Sequence, residues 1–193
     1  MKQLNQIEEK QKVSLASYNN SWYKPGPTWK IAVWMVVNAL FFNNQFAVFN
    51  TVKCGLLRLF GAKVGEKVII KPSVNIKYPW LLQIGNHVWI GEKAWIDNLA
   101  MVTIGNNVCI SQGAYLLSGN HNYKKAAFDL IVGSITVEDG VWLGARSIVC
   151  GGIICQTHSV LTVASVATKN LESYGIYQGI PAVKVKAREV GGG

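Results

Sequence analysis

The feature that most restricts the fold of this chain is a six-residue beat. Three phrases of one form, Val64-Gly65-Glu66-Lys67-Val68, Ile84-Gly85-Asn86-His87-Val88 and Ile104-Gly105-Asn106-Asn107-Val108, follow one another at a spacing of 20. Within them an aliphatic returns every sixth residue: Val64, Ile70, Ile76; Ile84, Ile90, Ile96; Ile104, Ile110, Leu116. Four places after most of these stands a small or β-branched residue, such as Val68, Val74, Ala94 or Ala114. After a break the beat resumes at Val137, Leu143, Val149, Cys155, Leu161 and Ala167, with Val141, Ser147, Ile153, Ser159 and Ser165 in second place. A period of six drifts around a 3.6-residue helix turn, so an amphipathic helix cannot produce it. A fixed short period is the mark of a solenoid.

The geometry of such a repeat follows directly. Three strands of about six residues make one triangular coil of about 18, and coils stack through parallel strand pairing. Each leading aliphatic points into the prism, and each small residue fits beside a corner. Gly65, Gly85, Gly91, Gly105 and Gly144 follow aliphatics at points where a Cβ would crowd a tight turn. The two extra residues of the 20-residue coils are expected to bulge at corners. The chain divides accordingly into a polar arm with an apolar helical segment (1–62), a solenoid (63–170) interrupted by a loop at about 117–136, and a basic C-terminal tail (171–193).

Composition removes several alternatives. Half of the 193 residues are hydrophobic and 15% are charged, so the chain is not mainly disordered and can bury a core without cross-links. Cys54, Cys109, Cys150 and Cys155 form no CxxC pair and the three histidines are scattered, so no metal site is expected. With no apolar leader in its polar start, the chain reads as cytoplasmic with reduced thiols. Nineteen Lys plus Arg against ten Asp plus Glu give +9, which calls for an anionic ligand or a membrane surface. Nucleic acid is not expected, because no recognition helix, zinc finger or aromatic RNA-binding strand is present.

From Ile31 to Val52 there is no charged residue, yet Asn38, Asn43, Asn44, Gln45 and Asn50 interrupt the run. Five amides are costly against lipid. Three readings stand: helices packed on the main domain or a neighbouring subunit, an interfacial segment, or a true span. In the interfacial reading Trp29 and Trp34 lie at headgroup depth with Lys30, Lys53 and Arg58 nearby, and residues 29–60 touch the inner face of a membrane peripherally. LLRLFGA (56–62) reads as a last helical turn closed by Gly61.

Five segments carry a family resemblance: LRLFGAKVG (57–65), YPWLLQIG (78–85), ISQGAYLLSGNHNYKKAAFDL (110–130), VWLGARSIV (141–149) and ASVATKN with GIPAVKVKAR (164–188). Over residues ~55–190 the chain resembles the hexapeptide-repeat acyltransferases. Within them it is most similar to the galactoside, maltose and nodulation acetyltransferase group, and above all to colanic acid biosynthesis acetyltransferases. The resemblance implies a mainly β fold, a left-handed parallel β-helix with an N-terminal helical arm. It also implies a homotrimer, acetyl-CoA as co-substrate, and a sugar or sugar-linked acceptor in exopolysaccharide biosynthesis.

Acetyl transfer to a hydroxyl needs a base near neutral pH, which suits histidine. His121 opens the loop that breaks the beat and aligns with the family's catalytic histidine, whereas His87 and His158 lie inside regular repeats and read as surface residues of the coil faces. No acidic partner stands beside His121, so a backbone carbonyl or Asn120 is expected to orient it. Asp97 and Asn98, one coil earlier, resemble an acceptor-binding pair, with Tyr115, Asn120 and Asn122 as further candidates. For the cofactor side the resemblance implies Trp142 as a groove wall, Ala145 at the thioester, and Val163, Thr168 and Lys169 as contacts. Related enzymes often have Ser at Ala145, which leaves its backbone N–H for the oxyanion. Lys184, Lys186 and Arg188 suit the coenzyme phosphates, with Lys186 where relatives often place Arg. Two rivals remain: an acyltransferase for a non-sugar acceptor, and a non-catalytic β-helix scaffold or membrane-associated binding protein.

Overall fold

The computed structural model describes residues 12–191; the first eleven residues of the polar arm and the last two of the tail lie outside the described residues. The chain forms a parallel β-solenoid of three faces. One face stacks Lys63–Val64, Leu82–Ile84, Val102–Ile104, Ile135–Val137 and Ile154–Cys155. The second carries Ile69–Ile70, Trp89–Ile90, Cys109–Ile110, Trp142–Leu143 and Val160–Leu161, and the third Asn75–Ile76, Trp95–Asp97, Tyr115–Leu117, Ile148–Cys150 and Val166–Ala167.

The leading residues of the beat stack in register. Val64 pairs with Ile84, then Ile104, Val137 and Cys155. Ile70, Ile90, Ile110, Leu143 and Leu161 form the second column, and Ile76, Ile96, Leu116, Val149 and Ala167 the third. All except the half-buried Val64 are buried, as are the second-position residues at the corners. The residue before each second position takes the left-handed region, among them Lys67 (φ 54°), His87 (57°), Asn107 (54°) and Arg146 (57°). His87 and His158 therefore occupy corner turns, not coil faces.

Two features of the repeated phrase have causes other than the turn itself. A Cβ on Gly85 would stand 2.6 Å from the Gly105 carbonyl oxygen of the next coil, so glycine answers to coil stacking there. The Asn after it caps its neighbour: Glu66 N–H donates to Asn86 Oδ1, Asn86 N–H to Asn106 Oδ1, and Asn106 N–H to Asp139 Oδ1, at 2.8, 2.9 and 2.7 Å.

Extra residues gather at one corner, between the third face and the first. Pro79–Leu81 form a 3-10 turn there, residues 98–101 a looser turn, and residues 118–134 the interrupting loop. The tail of the sequence reading is in fact structural. Leu171 bridges Cys155, and Gly175–Gly179 extends the second face beside Val160–Leu161 before turning back as Ala182–Ala187. Buried Tyr177 continues the Leu161 column.

Helices α1 (Thr28–Phe41) and α2 (Asn50–Leu59) close the first coil. Its strands have one open edge, and the uncharged segment's own polar groups satisfy it. Trp34 Nε1 donates to Ile76 O, Asn38 accepts from Ile76 N–H, and Asn50 bonds both Val68 O and Ile70 N–H. Lys53, 1% exposed, donates to Ile70 O and Lys71 O, and burial pulls its pKa down. The spanning reading fails: the run breaks at Phe42, and no helix among the described residues is long and apolar enough to cross a membrane.

Candidate active site

The interrupting loop is a hairpin, Gly119–His121 paired antiparallel with Leu130–Val132, so His121 faces Leu130 at its last rung. It leaves the solenoid directly beside Asp97, whose carbonyl accepts from the Ser118 hydroxyl at 2.9 Å. The His121 ring lies flat on Phe128, centroids 4.5 Å apart and planes at 7°, with Tyr18 of the arm 5.6 Å away. Its Nδ1 is 2.9 Å from the Phe128 carbonyl oxygen. A carbonyl only accepts, so this contact puts the ring proton on Nδ1 and leaves the Nε2 lone pair free. Asn120 does not touch the ring; its Oδ1 accepts the His121 backbone N–H at 2.8 Å. Asn122 bonds within the hairpin, its backbone N–H donating to Asp129 O and its Oδ1 accepting from Lys124 N–H.

Phe128 sits at φ 53°, a left-handed conformation costly for an aromatic residue. That conformation accompanies a carbonyl and a ring that both meet the same imidazole. The Lys125–Asp129 ion pair at 3.0 Å spans the hairpin tip.

Asp97 is 7% exposed, with Oδ1 2.8 Å from Lys77 Nζ and Oδ2 accepting from the Tyr115 hydroxyl at 3.3 Å. Burial, with Asp97 beside it, pushes the Tyr115 hydroxyl up to about 12, so it donates and does not ionise. Tyr115 stacks on Trp95 (4.8 Å, 13°), and Trp95, Lys77 and Tyr78 line a cavity of about 300 Å³ against α1. Asn98 belongs elsewhere. It is fully buried, accepting from Tyr78 N–H and donating to Tyr78 O and Leu81 O, which leaves no atom for an acceptor. Its role is to hold the bulged corner, a correction to its reading as a binding residue.

The sequence reading missed Lys77, Trp95 and the arm. Trp95 and Tyr115 occupy one column of adjacent coils, and Lys77 precedes Asp97 by one coil length, so the 20-residue period contained that signal. Nothing in the arm's composition marks Tyr18, nor Tyr23, whose hydroxyl donates to Leu99 O at 2.7 Å.

The cofactor candidates lie along other edges. Trp142 is exposed on the second face, its Nε1 donating to Ser111 Oγ at 2.9 Å, and Ser111 lines a groove of about 410 Å³ with Trp89, Lys71 and Gln112. Ala145 stands at the corner between the second and third faces, directly above Val163, its carbonyl accepting from Ala164 N–H. Thr168 and Lys169 are exposed at the corner that bears the hairpin. Lys186 lies exposed on the terminal hairpin. Its neighbours are engaged: Lys184 pairs with Glu172 at 2.7 Å, and Arg188 donates to Gly140 O and His158 O. The described residues of one chain thus do not gather His121 and the Trp142–Ala145 edge into a single pocket.

A three-faced β-solenoid carrying a histidine hairpin defines a class, and the chain belongs to the hexapeptide-repeat acetyltransferase family. It is 33% identical over 166 residues to "Putative colanic acid biosynthesis acetyltransferase WcaF" of Escherichia coli, covering 86% of this chain and 91% of that one. Galactoside O-acetyltransferase of the same organism is 26% identical over 129 residues, 65% and 64% of the two chains. Among solved structures, a hexapeptide-repeat acetyltransferase of Vibrio cholerae complexed with acetyl coenzyme A superposes with a TM-score of 0.76 at 19% identity, covering 84% and 88%. No family model matches the chain.

Proposed function

We propose that the chain moves acetyl from acetyl-CoA to a hydroxyl of a sugar or sugar-linked acceptor in surface-polysaccharide assembly, with His121 as general base. The observation that carries this is the imidazole itself, fixed through Nδ1 by the Phe128 carbonyl with Nε2 open. Nε2 takes the proton of the acceptor hydroxyl as its oxygen attacks the thioester carbon. The Ala145 N–H, which makes no backbone hydrogen bond among the described residues, receives the developing oxyanion. Collapse expels the coenzyme thiolate, and the proton on Nε2 goes to sulfur. Asp97 and Tyr115 hold the acceptor, Asn120 supports the base through its backbone, and Trp142, Val163, Thr168, Lys169 and Lys186 hold the coenzyme. The names of the relatives, one a galactoside and one a colanic acid enzyme, support the sugar acceptor. In a homotrimer the hairpin of one subunit and the Ala145 edge of the next would share a site.

The test is free-thiol release from acetyl-CoA over a panel of sugars and nucleotide sugars. His121→Ala is expected to lower kcat by about 10²–10⁴-fold with acetyl-CoA affinity kept. Equal turnover by the variant removes His121 as base, and failure of wild type to bind acetyl-CoA removes the catalytic reading.

A further inference from the structure

Helix α1 is apolar on its outer side and, apart from Asn38, on its inner side. Its inner side, Trp34, Val37 and Asn38, is packed on the first coil. Its outer side presents Trp29, Val33, Val36 and Leu40, each 47–69% exposed, while Met35 lines the cavity shared with Lys77, Tyr78 and Trp95. The connector that follows adds Phe46 (76%) and Phe49 (72%), which rim a hollow of about 160 Å³ with Leu40 and Ala47. Water-facing helices carry polar outer faces, so a helix apolar all round has a partner on each side.

The charges around it identify that partner. From Lys12 through Gly65 there is no Asp or Glu, while Lys12, Lys24, Lys30, Lys53, Arg58 and Lys63 fall in this stretch. Of these, Lys24, Arg58 and Lys63 are exposed and Lys30 stands over Trp80 at the start of α1. Lys53 is buried, and Lys12 belongs to the arm, whose Ser14 N–H bonds Ala126 O of the His121 hairpin. A second copy apposed through this face would set cations against cations. An anionic bilayer offers both an apolar layer for the aromatic side chains and a negative surface for the lysines. Asn38, Asn44 and Asn50 are bonded inward or within the connector, and the exposed Asn43 and Gln45 amides suit the headgroup layer of an interfacial segment and not the hydrocarbon.

We propose that the outer face of α1 and the Phe46–Phe49 connector form a docking surface for an anionic phospholipid bilayer, which holds the enzyme peripherally on the membrane. None of Phe46, Phe49, Val36 and Leu40 is among the residues placed in the candidate site, so docking and turnover can be tested apart.

The experiment is co-sedimentation of the full-length protein with vesicles of phosphatidylcholine alone or with one third phosphatidylglycerol, at low and high salt. Wild type is expected to sediment with the anionic vesicles only and to be released by salt. Phe46→Ser with Phe49→Ser, and separately Val36→Gln with Leu40→Gln, should each weaken sedimentation by about tenfold. Circular dichroism and molar mass should match wild type for both variants. No binding by wild type, or variants that bind as wild type does, overturns the proposal. So does loss of mass in the variants without vesicle binding by wild type, which makes the face an interface between copies.

Discussion

A carbonyl oxygen cannot donate, and this single fact lets Phe128 choose the His121 tautomer without a carboxylate bonded to the ring among the described residues. The same residue supplies the ring beneath the imidazole, at the cost of a left-handed φ. Phe128→Gly keeps the carbonyl and relieves the backbone but removes the ring and loosens the hairpin. The expected result is a kcat about tenfold lower with acceptor KM nearly unchanged, because aim, not binding, is lost. A KM rise at constant kcat would instead make Phe128 a binding residue. A second residue-scale prediction concerns Asp139. The Asn106 backbone N–H and side-chain amide hold its carboxyl below the usual 3.8. Its folded pKa being depressed, its contribution is complete above 3.8 and is lost as pH falls through the lower folded value. Asp139→Asn cannot titrate. Thermal melts should therefore show wild type above the variant near neutral pH, with the gap closing as pH drops below 3.8. A gap independent of pH would refute the assignment.

At the scale of elements, the open edge of the first coil is where sequence and structure meet most closely. Asn50 imitates a neighbouring strand, offering its amide to Val68 O and its oxygen to Ile70 N–H, both at 2.8 Å. Asn50→Ala strands a half-buried donor and acceptor, costing about 1–3 kcal/mol and lowering Tm by several degrees. Unchanged melting would mean that water reaches the edge. The amides of residues 31–52 were visible in the sequence as an obstacle to spanning a membrane, but the partners of Asn38 and Asn50 were not, since they lie 18–38 residues away. The coils were legible because burial imposes a six-residue period on Ile70, Ile76, Ile84 and their successors. Asp97 and Tyr115 were candidates through the family resemblance and the coil spacing from His121, and the structure joins them through the Tyr115 hydroxyl. Asn98 was misread because a buried corner amide and a binding amide look alike in one dimension. The terminal hairpin was missed because its strand pairing is antiparallel, with a bulge at Ile176–Tyr177, and so carries no six-residue beat.

Taken as a molecule, the solenoid is a ruler that sets the two proposed half-sites on different edges. His121 projects from the corner that absorbs every insertion, while Ala145 and Val163 line another and Trp142 a face between. A chain built this way either acts through neighbouring copies or closes some other route between its own edges, and mixing distinguishes the two. His121→Ala lacks the base but keeps the groove; Ala145→Glu keeps the base but sets a carboxylate against the thioester. Each variant alone is expected to be inactive. Co-expressed in equal amounts and assembled at random into rings, they pair an intact hairpin with an intact neighbouring groove at about one site in four. Thiol release should then recover to about a quarter of wild type in the mixture, and return to nothing when the two variants are assembled separately and combined without subunit exchange. Zero recovery in the co-expressed protein, with both variants folded and of the same molar mass as wild type, would place the whole site within one chain.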